Sequence, residues 1–216
     1  MNLVSLTSYI NAFAFPLTAF LELSGSKTNK NDKIATEIKN VFLLIFLIAT
    51  ISYIVINYYS TESSNSNNTN KNIAEASRYI DWLLTTPLLG YVYYLLGVKY
   101  SNYKGSPVPF FILPLFMILF GYLALYNKKF YIISFIFLIL FFNYVRSVQV
   151  SIQCYSNKCV KKSLNIIPYF FYIGWTLYGL AFLIPNVTQQ IVSYNILDFV
   201  NKIIFSILIV SIIKKY

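Results

Sequence analysis

The chain has 216 residues, of which 57% are hydrophobic and 11% are charged, and its formal net charge is +10. Its apolar runs are too long for the core of a soluble globular protein, so the composition indicates a membrane protein. It contains no histidine, which excludes histidine-based catalysis and histidine metal ligation.

Seven stretches are apolar enough to cross a bilayer as helices, since a spanning helix needs about 20 mostly apolar residues. In chain order they are Leu3–Leu23, Glu37–Tyr58, Ile73–Gly97, Pro107–Tyr126, Phe130–Val150, Asn165–Pro185 and Gln190–Ile213. The first lacks the basic start and cleavage site of a signal peptide, so we interpret it as a true span. We predict an all-α, seven-transmembrane helix bundle that forms a single domain over residues 1–216 of a multi-pass membrane protein.

The positions of lysine and arginine predict the orientation of this bundle. If the N-terminus lies outside, the outer loops hold only Lys71, Lys128 and Lys129. The cytoplasmic segments then hold Lys27, Lys30, Lys33, Lys39, Lys99, Lys104, Arg146, Lys158, Lys161, Lys162, Lys214 and Lys215. The positive-inside rule therefore predicts an outer N-terminus and a cytoplasmic C-terminus, and it accounts for the net charge without a nucleic-acid partner.

The third span carries ionisable residues on one helix face. Arg78, Asp81 and Thr85 lie at positions i, i+3 and i+7 of the segment RYIDWLLTTP. Charged groups inside a membrane are rare and are often functional, so each of them needs a partner.

The seventh span contains Lys202 with Asp198 one helical turn before it. A lysine at the centre of a bilayer costs roughly 3 kcal/mol, so a chemical role is expected. Asp81 and Asp198 both lie about 12 Å along their helices from the outside, and Lys202 lies about 6 Å deeper. Arg78 is expected as a third partner that keeps both acids ionised. This pattern is typical of a protonated Schiff base with its counter-ions, and the alternative is a set of structural contacts between helices.

The motif RYxDWxxTTP in the third span resembles that of the microbial (type 1) retinal rhodopsins. Two further matches are Asp198-x-x-x-Lys202 in the seventh span and Trp175-x-x-Tyr178 in the sixth. The resemblance covers nearly the whole chain. It implies all-trans retinal bound as a Schiff base on Lys202, with Asp81 and Asp198 as its counter-ion complex.

The same resemblance implies the rest of a retinal pocket. The implied residues are Trp82, Thr85, Thr86, Pro87, Leu89, Pro114, Met117, Gly121, Trp175, Tyr178 and Phe182, with Asn201 as a polar tuner beside the lysine. Light would isomerise the polyene and move the Schiff-base proton to Asp81.

The chain departs from the pattern of the well-known proton pumps at several positions. Val92 stands in place of a carboxylic proton donor, Gln190 in place of an acid that helps to release protons, and Gly179 in place of a proline. Glu22 and Glu37 are either a cytoplasmic gate or substitute donor, or solvated charges at helix ends.

Three functions stay open, and all of them need retinal. The missing acids favour a light-gated cation channel, whose path would be lined by Asn11, Asn57, Asn143, Asn195, Asn201 and Ser206. The alternative is an outward proton pump with Asp81 as acceptor. A sensor is the third function, although the chain ends at Tyr216 without an output domain.

The short chain and brief loops resemble rhodopsins of giant viruses. The expected partners are the lipid bilayer, protons or monovalent cations, and further copies of the chain in a homo-oligomer. Neither enzyme activity nor a metal ion is expected.

Overall fold

The computed structural model describes residues 3–24, 32–62 and 68–216, with side chains over residues 3–21, 32–59 and 73–216. Most of these residues are helical, and none of them forms a β-strand. The elements are α1 (Leu3–Ser24), α2 (Lys33–Glu62), α3 (Asn68–Ser101), α4 (Val108–Leu123), α5 (Lys129–Tyr155), α6 (Lys158–Leu164), α7 (Ile167–Tyr169), π1 (Phe170–Trp175), α8 (Thr176–Phe182), α9 (Val187–Asp198), π2 (Phe199–Ile204) and α10 (Phe205–Lys215).

These elements form seven helical spans, which confirms the predicted bundle. Helices α1 to α5 are the first five spans; α7, π1 and α8 form the sixth, and α9, π2 and α10 form the seventh. Within the described ranges, four stretches are apolar and long enough to cross a membrane by length and composition alone, namely Leu3–Leu21, Lys33–Tyr59, Lys129–Tyr155 and Val187–Lys215. Helix α2 begins four residues before the second predicted span, and α3 begins five residues before the third. In both cases the additional residues at the N-terminal end include polar ones, which the apolar pattern did not count.

Consecutive spans pack against one another from the first to the fifth, and α1 packs against α9, which closes the ring. Large apolar side chains point outward from the bundle, as Phe13, Leu47 and Ile132 do. A soluble protein rarely exposes so many large apolar groups, whereas lipid accommodates them. The interior therefore holds the polar and charged side chains that the predicted site requires.

Asp32 connects the start of α2 to the end of α3. Its carboxylate accepts a hydrogen bond from the backbone N–H of Ala35 at 3.0 Å, as a helix cap does, and it pairs with Lys99. Partial burial raises the pKa of Asp32, but the hydrogen bonds and the charge of Lys99 outweigh it, so this pKa lies below its usual value.

The sixth and seventh spans each contain a π-helical segment, π1 and π2. Such segments interrupt the regular α-helical hydrogen bonds and occur frequently at functional sites. Lys202 lies within π2 and Trp175 is the last residue of π1. The two segments contact each other, so both irregular turns lie at the same place in the bundle.

Candidate functional site

The amine of Lys202 lies between two carboxylates in the middle of the bundle. Its Nζ atom is 2.5 Å from Oδ2 of Asp81 and 3.7 Å from Oδ1 of Asp198. All three side chains are at most 2% exposed. The structure therefore brings together the charged groups that the spacing and depth of the third and seventh spans predicted.

Asp198 is held by three hydrogen-bond donors besides its contact with the lysine. Oδ1 accepts from Nε1 of Trp82 at 2.9 Å and from the hydroxyl of Tyr178 at 2.6 Å, and Oδ2 accepts from the hydroxyl of Tyr53 at 2.8 Å. Hydrogen bonds to a carboxylate favour its charged form. The carboxylate of Asp198 is thereby held in place by side chains of the second, third and sixth spans.

Asp81 has a different environment, although it faces the same amine. Its Oδ2 atom contacts Lys202, whereas its buried Oδ1 atom has no hydrogen-bond partner among the described residues. The hydroxyl of Thr85 donates to the backbone oxygen of Asp81 at 2.8 Å and not to its carboxylate. Within the described residues the carboxylate of Asp81 therefore depends on one contact, whereas that of Asp198 has several.

Arg78 lies beside the two acids without a direct ion pair to either of them among the described residues, so its role as their third partner stays a prediction. Within the described residues it forms no ion pair; its Nη1 atom instead donates to Oδ1 of Asn195 at 2.8 Å. The guanidinium also lies 5.6 Å from the ring centroid of Tyr194 and 5.9 Å from that of Trp82. A neutral amide and aromatic faces therefore hold this buried cation beside the acids.

Asn195 is the centre of a polar cluster that joins the first, third and seventh spans. Its amide nitrogen donates to the hydroxyls of Thr7 at 2.8 Å and Ser8 at 3.0 Å, and its backbone oxygen accepts from Nδ2 of Asn11 at 2.8 Å. The hydroxyl of Tyr53 is also within 3.2 Å of Asn195, but its single proton makes the shorter bond to the acid. These bonds fill the hydrogen-bonding capacity of the Asn195 amide.

Replacing Asn195 by alanine will leave a buried guanidinium hydrogen without its partner. We expect the free energy of unfolding to fall by about 1.5 to 3 kcal/mol, as for hydrogen bonds to charged groups. The control is Asn143→Ala, because Asn143 is exposed on the surface of the bundle. Unfolding in denaturing detergent will measure both variants, and equal losses would contradict this role of Asn195.

A cavity opens beside Lys202 and reaches the fourth and fifth spans. It contains about 790 Å3 of empty space, including the part that opens at the surface of the bundle. The predicted pocket residues that line it are Trp82, Thr86, Leu89, Met117, Gly121, Trp175, Tyr178, Phe182, Asn201 and Lys202.

Three residues of the predicted pocket do not line the cavity. They are Thr85, which is turned to the backbone of Asp81, and the prolines Pro87 and Pro114. Pro114 is buried within α4, where it packs in the bundle. Of the three residues predicted to line the pocket from the fourth span, Met117 and Gly121 line the cavity and Pro114 does not.

The fifth span supplies lining residues that the sequence analysis missed. Tyr131, Ser134 and Leu138 lie at intervals of three and four residues on one face of α5. The hydroxyl of Tyr131 donates to the backbone oxygen of Gly179 at 2.9 Å, and its ring stacks on Phe182 at 5.3 Å. Residues 130–142 of this span carry no charge, so the spacing alone could have indicated this face.

Tyr53, Tyr79 and Tyr194 were also missed, although each is buried near the acids. Tyr194 lies four residues before Asp198 on the seventh span, so its spacing was a usable signal. Tyr53 has no such signal, because the chain contains 20 tyrosines and most positions on the second span look equally suitable.

The other positions considered for proton transfer either lie away from Lys202 or have side chains outside the described residues. Glu37 is exposed and accepts a hydrogen bond from Tyr91 at 2.5 Å. The side chain of Glu22 lies outside the described residues. Val92 is fully buried, and the amide of Gln190 donates to the backbone oxygen of Phe182 at 2.9 Å.

Gly174 in π1 lies directly against Asn201 in π2. A Cβ atom at Gly174 would lie 2.9 Å from Cγ of Asn201 and still closer to its amide oxygen. Asn201 donates from Nδ2 to the backbone oxygen of Leu197 at 3.1 Å, which fixes the amide against the glycine. The absence of a side chain at Gly174 therefore permits the two irregular turns to meet beside Lys202.

Replacing Gly174 by alanine will force the two turns apart. Overpacking of this kind typically costs about 1 to 3 kcal/mol, so we expect a lower thermal unfolding midpoint. Adding Asn201→Ala should restore much of the loss, because it removes the atoms that collide. The control is Gly121→Ala, whose new Cβ would meet its nearest neighbour at 3.5 Å, an ordinary contact. No recovery in the double variant would contradict this packing.

The sequence matches the family of bacteriorhodopsin-like proteins over residues 2–216. The green-light absorbing proteorhodopsin of Gamma-proteobacterium EBAC31A08 is 27% identical over 151 residues, which are 64% of this chain and 61% of that protein. The matched region thus spans less than two thirds of the length of that relative.

Solved structures show the same fold. Xanthorhodopsin, described as a light-driven ion pump with dual chromophore, is similar with a TM-score of 0.85 and 22% identity, over 99% of this chain and 92% of that one. The viral rhodopsin OLPVRII is similar with a TM-score of 0.78 and 19% identity, over 99% of each chain.

The fold and the family match define a multi-pass membrane protein of the microbial rhodopsin class. This chain belongs to the bacteriorhodopsin-like family, whose members are photoreceptors and ion transporters rather than enzymes. Members of the family bind retinal through a Schiff base on a lysine.

Proposed function

We propose that this protein is a light-driven ion transporter in which Lys202 binds all-trans retinal and Asp81 accepts the proton of the lysine nitrogen. The observation that carries the proposal is the unequal support of the two acids that face Nζ of Lys202. Among the described residues, three donors hold Asp198, whereas Asp81 has one partner and an oxygen that accepts no hydrogen bond.

The residues of the cavity fit retinal. The cavity is mostly apolar and aromatic, and it runs from the only lysine that lines it to Gly121 and Leu138. When bound, retinal would form an imine with Lys202 and would change shape on absorbing light. Trp82 and Trp175 offer flat apolar walls to a conjugated chain, and the gap at Gly121 leaves room beside Met117.

In the dark, Asp81 and Asp198 together neutralise the positive charge on Nζ of Lys202. When the N–H bond of this nitrogen turns, its proton can pass to the oxygen of Asp81 that lies 2.5 Å away. Asp198 keeps its three hydrogen-bond donors during this step. The centre thereby moves one proton from the seventh span to the third.

The polar cluster around Asn195 supports onward transfer towards the N-terminal side of the seventh span. Arg78 lies between this cluster and the acids, and its bond to a neutral amide is weaker than a bond to a carboxylate would be. The guanidinium can therefore move towards Asp198 when the proton leaves Lys202. With the predicted outer N-terminus, this direction is outward, and the function is an outward proton pump.

A light-gated cation channel is the second candidate. The observation that favours it is the seam of buried neutral groups between the first and seventh spans, formed by Ser8, Asn11 and Asn195, together with Val92 and Gln190 at positions where pumps carry acids. Asn143 cannot line this seam, because its side chain is exposed on the outside of the bundle.

Electrical recording of illuminated cells separates the two candidates. A pump is expected to give an outward photocurrent at every voltage and without an imposed gradient. Cells carrying Asp81→Glu, which keeps the carboxylate, serve as the matched control and should retain a current of the same sign. A photocurrent whose reversal follows the sodium or proton gradient would instead establish the channel and remove the pump.

A further inference from the structure

A second groove lies on the surface between α5 and α6, apart from the retinal cavity. It contains about 810 Å3 of empty space, including its open side. Its polar walls come from Arg146, Gln149 and Gln153 of α5 and from Lys161, Lys162 and Asn165 of α6 and the turn after it. The groove is therefore lined by three cations and three amides.

In the described part of the chain, no acid forms an ion pair with these cations. The sequence between Asp81 and Asp198 contains no aspartate or glutamate. Among the described residues, the ion pairs that form involve Lys99 and Lys202 and none of the groove cations. A concave site with uncompensated positive charge attracts anions.

The amides of the groove are arranged as donors. Oε1 of Gln149 accepts a hydrogen bond from Tyr172 at 3.3 Å, and Oδ1 of Asn165 accepts one from Gln153 at 3.2 Å. Within the part of the chain that the structure describes, the NH2 groups of Gln149 and Asn165 donate no hydrogen bond, so both can donate to a ligand. The groove thus offers N–H groups of both charged and neutral kinds to a ligand rich in oxygen.

The depth of the groove matches the headgroup region of a bilayer. Arg146 lies 17 residues after Lys129, the first residue of α5, or about 25 Å along the helix axis. The hydrocarbon core is about 30 Å thick, so Arg146 lies near its boundary and α6 lies beyond it. With the predicted orientation this is the cytoplasmic leaflet, where anionic lipids are found.

We propose that this groove binds the phosphate of an anionic phospholipid headgroup. The planar guanidinium of Arg146 can hold two phosphate oxygens at once, while Lys161 and Lys162 supply charge. The amide groups complete the donor set. The acyl chains would lie against exposed apolar side chains of α5 on the bilayer side of Arg146, such as Ile139 seven residues earlier. This inference does not depend on the transport function.

The test uses the full chain in nanodiscs of phosphatidylcholine with a small fraction of phosphatidylglycerol, and native mass spectrometry to count retained lipids. We expect the natural protein to retain phosphatidylglycerol in preference to phosphatidylcholine. The triple variant Arg146→Gln, Lys161→Gln, Lys162→Gln should lose roughly tenfold or more of this preference, since each basic residue near a lipid surface contributes to binding.

The matched control is the triple variant Lys104→Gln, Lys214→Gln, Lys215→Gln. It removes the same charge from the same predicted side of the membrane, outside the groove, and should change the preference by less than about twofold. Arg146→Lys keeps the charge but loses the planar fork, so an intermediate loss is expected.

Three results would overturn the proposal. An equal loss in the control triple variant would assign the preference to general surface charge. Full retention by the groove variant, with both triple variants unfolding at the temperature of the natural protein, would place the lipid elsewhere. Displacement of phosphatidylglycerol by an equal concentration of inorganic phosphate would show a site for free phosphate instead.

Discussion

Replacing Lys202 by alanine will abolish the visible absorption that the purified protein gains when retinal is added. Among the residues that line the cavity, Lys202 is the only primary amine, so no other side chain there can form the imine. The effect is all-or-none rather than graded, because a covalent bond is lost. Titration with retinal, followed by absorption spectroscopy, measures it directly.

Lys99→Ala is the control for this experiment. Lys99 is mostly buried but lies in the ion pair with Asp32 at the far end of α3, away from the cavity. This variant should bind retinal with the natural stoichiometry. A Lys202→Ala protein that still formed a visible pigment would show that a residue other than Lys202 binds retinal.

Replacing Asp81 by asparagine will remove the proton acceptor while preserving the shape of the side chain. General acid–base groups typically contribute about 10²- to 10⁴-fold to a rate, so we expect light-driven proton transfer to slow by about this factor. The amide also leaves Lys202 with one carboxylate instead of two, and the absorption maximum should shift. Flash-induced pH changes in proteoliposomes measure the transfer.

Asp198→Asn is the informative comparison, because it alters the other acid of the same pair. Its loss leaves the donors of Tyr53, Trp82 and Tyr178 facing an amide, so pigment yield and thermal stability should fall. Proton transfer in the pigment that does form should persist. Equal loss of transfer in both variants would contradict the assignment of separate roles to the two acids.

The fold was predictable because a membrane restricts the choice of structure. Hydrocarbon requires every backbone group to be paired within the segment, so a long apolar stretch can be little other than a helix. The acids and the lysine were predictable for the same reason, since isolated charges in apolar surroundings must find one another. The spacing and depth of Asp81, Asp198 and Lys202 were enough to predict that the three side chains would meet.

The detail of the site depended on neutral residues, which carry no such constraint. Arg78 was expected as a partner of the acids, but its contacts with Asn195 and aromatic faces were not predicted. The spacing of residues along a helix does not show which of the many asparagines and tyrosines in this chain contacts the site. The π-helical turns were not predicted either. They meet where Gly174 of the sixth span contacts Asn201 of the seventh, and spacing within one span does not reveal such a contact.

The acceptor itself can be identified by flash-induced infrared difference spectroscopy of the pigment in lipid. We expect a carboxylic acid C=O band to appear as the nitrogen of Lys202 loses its proton, to disappear in Asp81→Asn, and to remain in Asp198→Asn. A band that disappears in Asp198→Asn and persists in Asp81→Asn would show that the proton goes to the seventh span, contrary to the geometry described above.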